Sequence, residues 1–237
     1  VQGCFFLIKS NAMKKTVVIT GAAKGIGFET ARQLHEKGFD VVLTARDAAK
    51  GHAAAQQIGC RFVQLDVTDT QSITAATEIL RHKVKQVDVL INNAAVLHRR
   101  DTLEQADYTL IEHTLMSNVA GPFMLVQALL PLMKNGSRII NISSGGGQLS
   151  TPAGGWSPVY CISKTAINGL THQLATLLEP RDISVVAMDP GWVQTDMGGT
   201  SAPRTVQQGA DTAVWLAADA PAELTDVFVR DRKVVEW

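Results

Sequence analysis

Thr16-Val17-Val18-Ile19-Thr20 runs straight into Gly21-Ala22-Ala23-Lys24-Gly25-Ile26-Gly27, and from there into Phe28-Glu29-Thr30-Ala31-Arg32-Gln33-Leu34. A β-branched apolar run, a glycine-rich turn and an amphipathic stretch thus follow one another without a linker. Thr16–Thr20 reads as a strand. Gly25–Lys37 reads as a helix whose apolar face carries Ile26, Ala31 and Leu34. The strand is apolar at successive positions rather than alternate ones, which is expected of a parallel strand buried on both faces.

The same unit recurs downstream. Val41–Thr44, Phe62–Leu65, Val87–Ile91, Arg138–Ser143, Ser184–Met188 and Val227–Val229 read as further strands, about seven in all. Helical patterns separate them, among them two long helices over roughly Leu103–Lys134 and Val159–Leu178. This alternation predicts an α/β fold of the doubly wound Rossmann type: one parallel sheet, right-handed crossovers, helices on both faces. No linker or composition shift divides residues 13–237, so one domain is expected there. Ser10-Asn11-Ala12 before Met13 looks like the scar of a cleaved tag, and the apolar Cys4–Ile8 is too short for a signal-peptide core. Residues 1–12 are therefore set apart from the fold as a tag remnant or, alternatively, a disordered extension.

Composition excludes several classes. The 237 residues hold 22 Lys and Arg against 22 Asp and Glu, a net charge of zero. A nucleic-acid binder would carry surplus cations to displace counterions from phosphates. With 46% hydrophobic and 19% charged residues the chain is not globally disordered. Three scattered cysteines make no disulfide framework, and the absence of CxxC or HExxH spacing argues against a metal centre. No apolar run is read as long enough to span a membrane.

The residue pattern also points to chemistry. Glycines between a strand and a helix let the backbone turn sharply and let a pyrophosphate approach the helix N-terminus. At the end of the second strand, Val41-Val42-Leu43-Thr44-Ala45-Arg46, a carboxylate would hold the ribose diol of NAD, and a cation the 2′-phosphate of NADP. Arg46 and Lys24 are two such cations, which favours NADP(H) over NAD(H). Asp47, next along, reads as a cap of the following helix. Tyr160 and Lys164 stand four apart, on one face of a helix. An ammonium beside a phenol favours phenolate and lowers the tyrosine pKa. Tyr160 can then act as general acid in carbonyl reduction, or as base in alcohol oxidation.

This ordered set resembles the classical short-chain dehydrogenase/reductase family, whose fingerprint is TGxxxGxG, and the resemblance covers essentially all of Lys14–Trp237. It implies a cofactor set of Gly21, Lys24, Gly25, Ile26, Gly27, Arg46, Tyr160 and Lys164. Asp66-Val67 resembles the family's adenine-contacting pair. Asn92-Asn93-Ala94-Ala95 resembles its NNAG, with Ala95 in place of the last glycine; Asn92 is then expected on the adenosine-ribose side and Ala94 against the cofactor. Asp189-Pro190-Gly191-Trp192-Val193-Gln194-Thr195 resembles its PGxVxT segment, so Pro190, Gly191, Val193 and Thr195 are expected to grip the carboxamide. The family's substrate-polarising serine maps to Ser144, with Ser143 as the alternative. Asn118 completes the catalytic tetrad. Pro122, lacking an N–H, leaves the Asn118 carbonyl without its helical partner, free to hold a water against Lys164. Gly198–Ser201 suits a flexible lid, and Trp156, Trp192 and Met197 suit an apolar substrate wall.

Three stretches are similar to the carbonyl-reductase branch: SSGGGQLST at Ser143–Thr151, PGWVQTDM at Pro190–Met197, and the ending from Arg230 to Trp237. That branch reduces ketones, aldehydes and quinones with NADPH. Its animal monomers insert a long segment between the serine and the tyrosine, whereas only 16 positions separate Ser144 from Tyr160 here. A homodimer or homotetramer built on the two long helices is therefore implied, with a small-molecule carbonyl substrate, no nucleic-acid or membrane partner, and a cytoplasmic setting. Two other readings stay open: an alcohol or hydroxysteroid dehydrogenase acting oxidatively, and a non-catalytic NADPH sensor.

Overall fold

In the computed structural model, which describes residues 14–151 and 155–237, eight strands form a single sheet. The tag reading of residues 1–12 lies outside the described residues. The strands are β1 (Thr16–Ile19), β2 (Asp40–Ala45), β3 (Arg61–Gln64), β4 (Val89–Asn92), β5 (Arg138–Ile142), β6 (Ser184–Asp189), β7 (Val227–Arg230) and β8 (Lys233–Val235), in the order β3-β2-β1-β4-β5-β6-β7-β8. All pairings are parallel except β7 with β8. After β3 the chain returns to the other side of β1. Between β1 and β4 the connections diverge and leave a crevice at the carboxyl ends of the strands, where open α/β sheets bind ligands.

Among the described residues seven α-helices cover the sheet: α1 (Gly25–Glu36), α2 (Ala48–Ile58), α3 (Thr70–Lys83), α4 (Tyr108–Leu115), α5 (Gly121–Leu129), α6 (Pro158–Leu178) and α7 (Val206–Ala218). The consecutive apolar residues of each strand serve two cores. Val18, Val42, Leu90, Ile139 and Val185 face Leu80, Leu125, Leu129 and Leu174 on one side. Val17, Ile19, Val41, Leu43, Ile91, Ile140 and Val186 face Ala31, Leu34, Ala213 and Leu216 on the other. Side chains alternate across a strand, so one apolar run feeds both layers.

Three features depart from the sequence reading. The eighth strand was not expected, because Asp231 and Arg232 make its turn with φ of +50° and +59°. A two-residue turn of that kind ordinarily announces itself with Asn or Gly. The helix expected from Leu103 begins at Tyr108 instead, where Asp107 caps it by accepting the Leu110 N–H at 2.8 Å. It is also interrupted by a π turn over Met116–Ala120. Finally, the whole helical run Tyr108–Leu132 is long and apolar enough to cross a membrane, by length and composition alone. Its apolar side is occupied here: Leu125, Val126 and Leu129 belong to the buried core.

Candidate active site

The glycine turn is locked in place by the segment that follows β4. Gly21 and Gly25 have φ of +62° and +60°. A Cβ on Gly21 would lie 2.8 Å from the Ala94 Cα, and one on Gly27 would lie 2.4 Å from the Asn93 Nδ2. The Asn93 amide donates to the Thr20 carbonyl at 2.8 Å, and the Thr20 hydroxyl oxygen accepts the N–H groups of Asn93 and Ala94 at 2.9 Å each. Beyond the turn, the N-terminus of α1 has neither a capping side chain nor an acidic residue in its first turn, where Ile26 sits. Its free amides and positive dipole end suit an anion, so these residues fit the pyrophosphate of a dinucleotide.

Asn92 takes a different place from the one expected. Its side chain is buried in the sheet, donates to the Asn141 Oδ1 at 2.8 Å and leaves its own Oδ1 without a partner. Asn141 in turn donates to the Thr171 hydroxyl on α6 at 2.9 Å. Strand alternation explains this: Asn92 points toward the α6 layer and Asn93 toward the glycine turn. The bracing residue at the cofactor edge is Asn93.

At the adenosine end, Arg46 follows β2 and is exposed, and its carbonyl accepts the Gln64 side chain at 2.9 Å. Asp47 caps α2 by accepting the Lys50 N–H at 3.0 Å. Burial pushes the Asp66 carboxyl upward most strongly. Bonds from the Thr68 hydroxyl and N–H, at 2.7 and 2.9 Å, together with the charge of Arg46, outweigh it and hold the group below the usual carboxylate range. Val67 packs against Gly121 at the head of α5. Lys24 is not beside Arg46's neighbour Asp66. It crosses the crevice to an ion pair with Asp196 in which both side chains are largely exposed.

Residues 190–204 form the opposite wall. A Cβ on Gly25 would lie 3.5 Å from the Thr195 Cγ2, so the two walls meet at the glycine turn. Gly191 has φ +73° and its N–H reaches the Asp189 Oδ1 at 2.8 Å. The Pro190 carbonyl accepts from Arg204, and Val193 is buried and bridges to Arg204. The segment expected as a loose lid is cross-tied: the Trp192 indole donates to the Gly198 carbonyl at 2.7 Å, and the Gln194 amide to the Ala202 carbonyl at 2.9 Å.

The reacting groups converge where α6 passes the ends of β5 and β6. Tyr160 and Lys164 sit one helical turn apart, and both are buried. The Lys164 Nζ lies 5.4 Å from the centroid of the Tyr160 ring and donates to the Ile142 carbonyl at 2.8 Å. The two serines part company. Ser144 stays on the Tyr160 side, where it draws the phenol's pKa down, and its hydroxyl oxygen accepts the Gly146 N–H at 3.1 Å. Ser143 turns inward and donates to the Asn168 Oδ1 at 2.6 Å. Asn118 is buried in the π turn. Its amide donates to the Val96 carbonyl at 3.0 Å and the Ser163 hydroxyl at 2.9 Å, while its Oδ1 accepts the Val96 N–H at 2.8 Å. Pro122 withholds an N–H from the Asn118 carbonyl, and the helix answers with a five-residue closure from the Gly121 N–H to the Met116 carbonyl.

Ionisation runs against the expectation of an acidified phenol. Burial holds Tyr160 above the usual tyrosine range, the Ser144 bond pulls the other way, and the Asp189 charge adds to the rise. Burial also brings Lys164 down to about 8, against the pull of Asp189. The reason is geometric. The ammonium is tied to a backbone carbonyl and both groups are stripped of water, so desolvation outweighs their mutual help.

Sequence reasoning missed several residues here. Asp189 pairs with Arg230, whose Nε lies 2.6 Å from Oδ2. The guanidinium covers Gly145 beside Ser144, since a Cβ there would stand 2.8 Å from its Nη2. Asp101, from the loop after β4, accepts the N–H groups of Val159 and Tyr160. These partners come from distant strands and loops, and no local spacing marks them.

The profile of the short chain dehydrogenase family matches residues 15–205. Carbonyl reductase [NADPH] 1 of Sus scrofa is 35% identical, over 94% of this chain and 94% of its own. Carbonyl reductase [NADPH] 3 of Mus musculus is 34% identical, over 96% and 100%. The alignment with the pig protein runs 274 positions, more than the 237 residues here, so that relative has segments without a counterpart in this chain. Among solved structures, an NADPH-bound carbonyl reductase from chicken fatty liver superposes with a TM-score of 0.86 at 29% identity, covering 94% of this chain and 99% of its own. A blue fluorescent protein from a metagenomic library, in complex with NADPH, gives 0.82 at 29% identity, covering 91% and 95%.

Proposed function

The chain belongs to the short-chain dehydrogenase family, and on that premise we propose that it is an NADPH-dependent reductase of ketones, aldehydes or quinones. The observation that carries this reading is the buried Tyr160 with the Lys164 Nζ 5.4 Å from its ring centroid, and Ser144 as the neighbour that draws the phenol's pKa down.

NADPH, when bound, supplies the hydride to the carbonyl carbon. The remaining chemistry falls to the chain. Tyr160 delivers a proton from its hydroxyl to the carbonyl oxygen, and Ser144 donates a hydrogen bond to that same oxygen. The Tyr160 hydroxyl carries its proton at neutral pH; burial opposes its release, and Ser144, which draws its pKa down, eases it. Lys164 stands ready to stabilise the phenolate left behind. The uncapped N-terminus of α1 supports pyrophosphate binding, and Arg46 supports recognition of the 2′-phosphate. Lys24, engaged with Asp196, contributes less to that recognition. Asn118 braces the Val96 backbone beside Ser163, and its carbonyl, denied a partner by Pro122, is the group to hold a water against Lys164.

Association of copies belongs to the same proposal. Ile111, Met116 and Phe123 on the α4–α5 run, and Ile162 and Leu177 on α6, are exposed apolar side chains on the helices expected to pair.

Fluorescence titration with NADPH and NADH, followed by turnover on a panel of ketones, aldehydes and quinones, tests the reading. NADPH-dependent reduction that falls at least a hundredfold in Tyr160→Phe is expected. NADPH binding without turnover of any carbonyl would favour the sensor, and a Tyr160→Phe variant as fast as its parent would remove Tyr160 from the chemistry.

A further inference from the structure

The first turn of α6, which carries Tyr160, lacks the cap its sequence promises. Ser157-Pro158 reads as a serine cap followed by a proline at the first helical position. Yet Ser157 has φ +41° and its side chain caps nothing. Pro158 has no N–H to satisfy, and the Cys161 N–H already reaches the Ser157 carbonyl at 3.0 Å. Two donors remain, Val159 and Tyr160, and both go to one carboxylate. Asp101 Oδ1 accepts the Val159 N–H at 2.9 Å, and Oδ2 accepts the Tyr160 N–H at 2.8 Å. Asp101 lies 59 residues before Tyr160 and is only 3% exposed.

The loop that delivers Asp101 is itself fixed. The Asp101 N–H donates to the His98 carbonyl at 3.2 Å, the His98 Nε2 meets the His113 Nδ1 at 3.0 Å, and Val96 is held on both sides by the Asn118 amide. One short segment thus runs from the glycine turn past Asn118 to the helix that presents Tyr160. A negative charge at a helix N-terminus is favourable, and a bidentate one fixes direction as well as charge.

We propose that Asp101 is a positioning residue for Tyr160: its buried carboxylate holds the first turn of α6 and so sets the phenol against Ser144. The proposal rests on the reading of Tyr160 as general acid. A cap that served stability alone would loosen the whole helix without singling out the proton-transfer step. A cap on the Tyr160 N–H itself governs where that side chain starts.

The test compares the parent with Asp101→Asn, which keeps one acceptor oxygen, and Asp101→Ala, which keeps none. Three readouts are taken: steady-state kinetics with NADPH and a carbonyl that the parent reduces, NADPH affinity by fluorescence, and amide hydrogen exchange at Val159 and Tyr160. The expected result for Asp101→Ala is a kcat at least tenfold lower, NADPH affinity within twofold of the parent, and loss of protection at both amides. Asp101→Asn should lie between, with partial rescue of kcat. A folded Asp101→Ala with kcat within twofold of the parent overturns the proposal, as does a fall in kcat with both amides still protected. Should Asp101→Ala fail to fold, Asp101→Asn decides alone: a kcat at least threefold lower supports the proposal and an unchanged one overturns it. If the parent reduces no carbonyl, the functional reading falls, and the positioning claim is then read from the phenol titration of Tyr160 in parent and Asp101→Asn. A shifted titration supports it and an unshifted one overturns it.

Discussion

Arg138 and Lys164 are the two basic side chains buried among the described residues, and they sit at opposite ends of the same sheet. Arg138 opens β5 at its amino end. Its guanidinium donates to the Ser184 hydroxyl at 2.8 Å, the Leu216 carbonyl at 2.6 Å, the Ala222 carbonyl at 3.3 Å and the Pro221 carbonyl, closing the C-terminus of α7 onto the sheet. Lys164 lies past the carboxyl end of β5 and reaches one backbone carbonyl, that of Ile142. Both groups are depressed by burial, but Arg138 stays charged at any working pH while Lys164 comes down to about 8. A cation whose donors are all taken is an anchor. A cation with donors to spare, beside a buried phenol, is available for chemistry.

Lys164→Met gives the sharpest contrast. Methionine matches the stem in volume and removes the charge, so the fold should persist, and loss of a buried ion can even stabilise. Reduction should fall by about 10³-fold, within the range for losing one acid–base partner. Turnover and Tm measured together check this. A large drop in Tm with activity nearly intact would place Lys164 with the anchors.

Arg138→Met should show the reverse. Four carbonyls in and just after the last turn of α7 would lose their donor, for a loss of about 3 kcal/mol or more in stability. The kcat of the folded fraction should stay within twofold, since the reacting groups lie a strand's length away. Denaturant unfolding and kinetics at low temperature separate the two effects.

The same contrast explains what the sequence could reveal. Strand–helix alternation, the glycine turn and the Tyr160/Lys164 spacing are local patterns, and each was legible because 3.6- and 2-residue periods are written into neighbouring residues. The β7–β8 hairpin was hidden because Asp231 and Arg232 occupy left-handed positions without the usual signature. Asn92 was expected on the adenosine-ribose side and Asn93 was given no place, because only the strand's end fixes which side of the sheet each side chain faces. Ser143 stayed open as the alternative to Ser144 for the same reason. Asp101, Asp189 and Arg230 act through contacts of 41 residues or more in sequence separation, which no motif encodes. The acidified phenol failed because it counted the charge beside Tyr160 and not the water removed from both groups.

A pH series sharpens the comparison further. The folded pKa of Lys164 is depressed to about 8 from 10.5, so between those values the unfolded chain binds the extra proton. Stability therefore rises with pH across this window, by at most about 3 kcal/mol for this one group. The difference in stability between the parent and Lys164→Met should shift in the parent's favour from pH 8 to pH 10. Arg138→Met should show no such trend relative to the parent, because arginine holds its proton throughout. A flat difference for Lys164→Met would mean that water reaches the ammonium.

The smallest effects are expected at the cations on the surface, where solvent screens what burial amplifies. Arg46 and Lys24 were both candidates for the 2′-phosphate, yet their partners differ. Arg46 stands near Asp66 with its guanidinium unclaimed by any hydrogen bond described, while Lys24 faces Asp196 across the crevice. Arg46→Ala should weaken NADPH binding about tenfold and leave NADH binding unchanged, since a bidentate contact to phosphate is worth more than one exposed pair. Lys24→Ala should change NADPH affinity less than threefold and leave Tm unmoved. Asp196→Asn makes the test decisive: releasing Lys24 from its partner should tighten NADPH binding modestly if the ion pair withholds that charge from the cofactor. No change in Asp196→Asn together with a large loss in Lys24→Ala would show that Lys24 leaves Asp196 to reach the phosphate unaided, and the division of labour between the two cations would be reversed.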